Sequence, residues 1–152
     1  MSTTLRAEDC RLDEFRALTG QRTRPGDYPH AAGTEQDVLV YDSERLRAAG
    51  DHGAVAAELA RALLDGPGIV VLKRAFARPV VDRATAAFTA LIEEERAAGT
   101  ARGDHFAKPG ANDRLWGALD KLAVRDPEAF ADYYANDMLA LVARAWLGPA
   151  TR

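Results

Sequence analysis

The chain has 152 residues, 47% hydrophobic and 28% charged, enough to bury a single core without disulfides or a structural metal. Its 20 basic and 23 acidic side chains leave a formal charge of -3, so no global basic field draws it to nucleic acid or to an anionic membrane. One cysteine, Cys10, rules out an internal disulfide framework, and the stretch Met1–Leu12, with Arg6, Glu8, Asp9 and Arg11, lacks the apolar segment of a signal peptide. No run approaches the ~20 apolar residues that span a bilayer. The expected location is the cytoplasm.

Residues Leu5 to Leu18 place Leu5, Leu12, Phe15 and Leu18 at helical spacings, with Gly20 as the stop. Gln21 to Gly33 carries Pro25, Gly26, Pro29 and Gly33 and reads as an extended loop, anchored by Tyr28 and His30. These 33 residues form an N-terminal helix and loop, and 34–152 a mainly helical second part. Val38 to Tyr41, between Asp37 and Asp42, is a short strand or an extended pass across the core. Ser43 caps a brief helix through Ala49, and Asp51 caps the next. That helix, Ala54 to Leu64, aligns Val55, Leu59, Ala62 and Leu63 in one stripe.

Gly66-Pro67-Gly68 turns the chain into Ile69 to Leu72, the one uninterrupted β-branched apolar run, which reads as a strand buried on both faces. A lone strand cannot satisfy its own backbone, so it needs ladder partners. After it, Pro79 opens the best helical pattern, with Val81, Ala84, Phe88, Leu91, Ile92 and Glu95 in period and Gly99 as the stop. The charge run Glu93–Arg96 is a solvated face. Thr100 to Asn112 is a long loop, followed by a short helix from Arg114 to Leu122. Asp126-Pro127 starts a last helix running to Trp146, with Phe130, Tyr134, Met138, Leu141, Val142 and Ala145 on its buried side and Gly148-Pro149 as the stop. The expected fold class is α+β, predominantly helical, with one or two short strands.

Spacing offers little chemistry. His30, His52 and His105 are far apart, and no His-x-Asp or i, i+4 histidine pair exists to share an ion. Ser2 and Ser43 stand in no nucleophile turn, and Gly66-Pro67-Gly68 precedes a strand, which excludes a phosphate loop. Arg102, His105, Lys108 and Arg114 are a local excess of donors that could hold a carboxylate or phosphate, with pairing to Asp104 and Asp113 as the simpler account.

Three stretches carry a family likeness: Asp65-Gly-Pro-Gly-Ile-Val-Val-Leu-Lys; Gly103-Asp-His-Phe-Ala-Lys-Pro-Gly-Ala-Asn-Asp-Arg-Leu-Trp; and Asp132-Tyr-Tyr-Ala-Asn-Asp with Trp146-Leu-Gly-Pro. In these the chain resembles the phytanoyl-CoA dioxygenase family of Fe(II)- and 2-oxoglutarate-dependent oxygenases, which hydroxylate unactivated C–H bonds of small-molecule substrates. The resemblance implies a double-stranded β-helix (jelly roll) with iron in a 2-His-1-carboxylate triad. The chain has no His-x-Asp and no histidine after His105. It is therefore expected to be the helical N-terminal portion without the β-helix, with no catalytic or metal-ligating residue of its own and no productive binding of Fe(II) or 2-oxoglutarate. The resemblance places Lys108 near the cosubstrate, with His105 and Asn112 in the same loop. Uncovered apolar faces make self-association an expectation, and a non-catalytic helical interaction protein is the alternative.

Overall fold

The computed structural model describes residues 6–7, 10–101, 112 and 114–148. Among these residues, seven α-helices and three strands make an α+β fold dominated by helix. The sheet begins with a hairpin that the composition does not announce. β1 (Gly33–Glu35) and β2 (Val38–Asp42) pair antiparallel through a two-residue loop, Gln36-Asp37, with both residues at positive φ, 52° and 65°. That geometry usually calls for Asn-Gly. Here it is held from outside: the Asp37 carboxylate accepts from the Thr23 amide at 3.2 Å and from Arg22 at 2.5 Å, and the Asp37 carbonyl accepts from the Thr23 hydroxyl at 2.5 Å.

β3 (Val70–Lys73) runs parallel to β2, with Val40 opposite Val71 and Tyr41 opposite Leu72. Parallel neighbours need a crossover, and α2 (Ser43–Arg47) and α3 (His52–Leu64) supply it. The cap of α2 is Asp42, whose carboxylate accepts from the amides of Glu44 and Arg45. Ser43, expected to cap, is instead the first helical residue and is fully buried. Asp51 caps α3 as its sequence implies, accepting from Ala54 at 2.9 Å.

The strand at Ile69–Leu72 was expected to be covered on both faces, and it is not. Val70 and Leu72 pack inward, whereas Val71 is 41% and Ile69 53% exposed. The reason is the layer count: helices cover one face of the sheet, and among the described residues no second layer covers the other. β3 is also the edge of the sheet order β1-β2-β3.

The core lies between the inner sheet face, α3 and α7 (Asp137–Leu147). Leu39 and Tyr41 of β2 meet Leu46, Val55, Leu59, Ala62, Met138 and, from the Gln21–Gly33 loop, Tyr28. The stripe read on α3 is correct in Val55, Leu59 and Ala62. Gly66 is required at its exit, because a Cβ there would run into the Tyr28 hydroxyl and stand 2.8 Å from the Ala62 carbonyl oxygen.

A second packing group joins α4 (Arg78–Ala97), α5 (Ala118–Arg125) and α6 (Pro127–Tyr134) around Ala84, Leu122 and Ala129. The charge run on α4 is partly engaged: Glu94 accepts from Arg125 at 2.6 Å and Glu95 pairs with Lys121. α5 starts at Ala118, not Arg114, since Gly117 before it is left-handed at φ 62°. The single helix expected from Asp126 to Trp146 is two, broken at Ala135-Asn136. Asn136 is a cap inside the apolar period: its Oδ1 accepts from the amides of Met138 and Leu139, each at 3.0 Å. The break also leaves Tyr134 60% exposed, although the period put it on the buried side.

α1 (Leu12–Thr19), stopped by Gly20 as expected, buries none of its residues. Leu12, Phe15 and Leu18 all face solvent. No helix among the described residues is long and apolar enough to cross a membrane.

Candidate functional site

Among the described residues, two of the places that gather polar groups bear on a site, whereas the Arg47–Asp137 and Arg83–Asp126–Glu128 clusters are ion pairs between helices. One is a cluster inside the core. Glu58 of α3 is nearly fully buried and accepts from the His30 backbone N–H with both carboxylate oxygens, each at 3.2 Å. Arg61, one turn on, donates to the Asp27 carbonyl and stacks over the Tyr28 ring at 5.2 Å. Tyr41 completes the group. Burial, then the Glu58 charge and a hydrogen-bonding interaction with Glu58, push its hydroxyl well above the usual phenol range, although by strict geometry that hydroxyl, like the Ser43 hydroxyl, makes no hydrogen bond. The arrangement pins the Tyr28–Ala31 turn to α3. A neutral phenol held this firmly to its proton is no general base near pH 7.

The signal for this cluster was present. Glu58 falls at i+3 from Val55 and i−1 from Leu59, on the apolar stripe itself, and an acid in that position is buried only with a donor to meet it.

The other place is an open groove of about 900 Å³ between the end of α1, the hairpin loop and the Asp65–Ile69 turn. Its walls include Arg22, Thr23 and Asp37, already bonded to one another, and its apolar floor includes Leu18, Leu64 and Ile69.

The residues picked from sequence lie mostly elsewhere. Lys108 and His105, with Arg102, fall outside the described residues. Arg114, from the same donor cluster, is described and lies over the Trp116 ring at 4.2 Å. His30 acts through its backbone, and His52 is the exposed first residue of α3. Cys10 is exposed.

Among the described residues no three His, Cys, Asp or Glu side chains converge as a metal site would require. These residues do not fit the iron of a facial triad. Compared with family models, with curated proteins and with solved structures, the chain has no match.

Proposed function

We propose that this chain is the N-terminal, helix-rich portion of a phytanoyl-CoA dioxygenase-like Fe(II)- and 2-oxoglutarate-dependent oxygenase, inactive by itself. The observation that carries the reading is the one-sided sheet. α3 and α7 cover its inner face, while the outer face presents Ile69 and Val71 to solvent, and β3 ends the sheet as an unpaired edge among the described residues. A helix-backed sheet that leaves apolar side chains exposed on its outer face, beside the Lys73–Glu35 bridge, is open to a second layer, and a jelly roll supplies one as a second sheet. Of the three stretches that carry the resemblance, the first is β3 and the turn before it, the last holds the end of α6, the Asn136 cap and the end of α7, and the middle one lies mostly outside the described residues.

In this reading Lys108 and His105 lie toward the cosubstrate in the complete enzyme, and the iron ligands come from a β-helix that this chain does not contribute. The test is succinate formation from 2-oxoglutarate with Fe(II) and ascorbate. The purified chain should give none above a protein-free blank, and turnover by it alone would overturn the proposal. The coding frame downstream should supply the other arm, a His-x-Asp followed by a distant histidine; a frame without them counts equally against it.

A second reading, a non-catalytic helical interaction protein, draws on α1, whose apolar row is exposed along its length.

A further inference from the structure

The exposed apolar residues are not scattered. Leu18, Leu64 and Ile69 line one groove, so the row Leu12, Phe15, Leu18 on α1 continues through Leu64 to Ile69, and from there to Val71 on the outer sheet face. These six side chains are between 41% and 67% exposed. Isolated exposed apolar residues are ordinary, but a connected stripe beside an unpaired strand edge is an interaction surface.

We propose that this stripe is the interface between two copies of this chain, related by a two-fold axis that sets the β3 edges and the α1 faces of the copies against each other. Two observations favour a second copy over a partner of opposite charge. The first is the state of the charges beside the stripe: Lys73 is paired with Glu35 at 2.7 Å, Arg74 with Asp42, and Arg22 with Asp37 at 2.5 Å. These pairs are neutralised within each copy, and the other charges there, Asp13, Arg16, Arg24, Asp27 and Asp65, are of both signs, so the surface neither calls for an acidic or basic partner nor repels an identical one, and the net charge of -3 adds little repulsion. The second is area. At ~200 Å² for a large side chain, the exposed fractions amount to roughly 700 Å² of apolar surface per copy, or about 1,400 Å² across the pair before any polar rim. Stable interfaces begin at about that size. A dimer closed by a two-fold axis uses up both stripes, so association stops at two.

The inference shares the one-sided sheet with the oxygenase reading and concerns this chain by itself, where among the described residues no second sheet covers the face; the mass reads the dimer and the succinate assay reads the oxygenase, so the two fail separately. The experiment is size-exclusion chromatography with light scattering on the purified chain at about 50 µM, above the micromolar Kd that an interface of this size can reach. The expected mass is twice the 16.4 kDa of one copy. Phe15→Glu and Val71→Glu, at exposed positions on two different elements, should each return the protein to a single-copy mass with an unchanged far-UV circular dichroism spectrum. A monomeric parent chain, a ladder of larger masses, or a dimer that either folded variant leaves intact overturns the proposal. If one variant fails to fold, Leu12→Glu, on the same exposed row, takes its place.

Discussion

On the inner face of the sheet, Leu39 and Tyr41 are closed off completely, with Val70 and Leu72 beside them against α3 and α7. On the outer face Val71 stands in solvent, although it alternates with Val70 and Leu72 along β3 and is as apolar, and Ile69, just before the strand, is exposed with it. Only Val40 is shielded there, where by register the Lys73–Glu35 bridge spans β2. The difference teaches that a continuous apolar run states a capacity for burial on both sides, while coverage depends on which layers exist to supply it. The inner face should therefore hold most of the stability.

The largest effect is expected at Leu59, fully buried at the centre of the α3 stripe. Leu59→Ala removes three carbons from a closed site and should cost about 3 kcal/mol, within the ~2–5 kcal/mol typical of such truncations. Urea unfolding followed by circular dichroism measures it. A loss below about 1 kcal/mol would mean that the inner face is not the close-packed one.

Gly66→Ala should come next, at about 2 kcal/mol, because the new methyl must displace the Tyr28 ring or the last turn of α3. Gly33, where a Cβ would meet nothing within 4 Å, is the control and should tolerate alanine at well under 1 kcal/mol.

Tyr41→Phe works in the opposite direction. A buried hydroxyl without a partner is a cost to the fold, so its removal should raise stability by up to about 1 kcal/mol at pH 7. The pH dependence follows from the raised pKa. The folded protein keeps the Tyr41 proton where the unfolded chain begins to lose it, near pH 10; the contribution is whole below that value and declines as the pH rises beyond it. Tyr41→Phe should flatten the alkaline limb of a stability–pH curve. A loss at pH 7 together with the flattened limb would show that the hydroxyl is bonded to Glu58 after all, and an unchanged limb would show that burial and Glu58 do not raise its pKa.

Much of this comparison was legible in the residues, and the exceptions have physical causes. Val55, Leu59 and Ala62 announced the inner face through helical period, and Asp51 and Asp126 announced helix starts through capping chemistry, Asp126 accepting from Ala129 at 3.0 Å. The hairpin was hidden because Gln36-Asp37 has no intrinsic preference for its turn; Arg22 and Thr23, fifteen and fourteen residues from Asp37, impose it. Asn136 was hidden because the apolar period runs straight across it, so that only its cap geometry reveals the break between α6 and α7. The candidate site was the least legible part. Lys108 and His105 were chosen by likeness and lie outside the described residues, while the buried acid Glu58 was passed over inside a stripe read only for its apolar members.

The smallest effect is the most discriminating. Val71→Thr keeps the β-branched shape, so at an exposed position it should change stability by no more than about 0.5 kcal/mol, whereas Val70→Thr places a hydroxyl against the core and should cost about 1.5 kcal/mol. The pair has to be measured at two protein concentrations. Near 1 µM, where a weak dimer is dissociated, the asymmetry between neighbouring valines should be full. Near 50 µM a second copy would cover Val71 and its substitution should become costlier, while the Val70 penalty stays where it was. Equal penalties at both concentrations would mean that the outer face is covered within the single chain, and the contrast between the two faces would be lost.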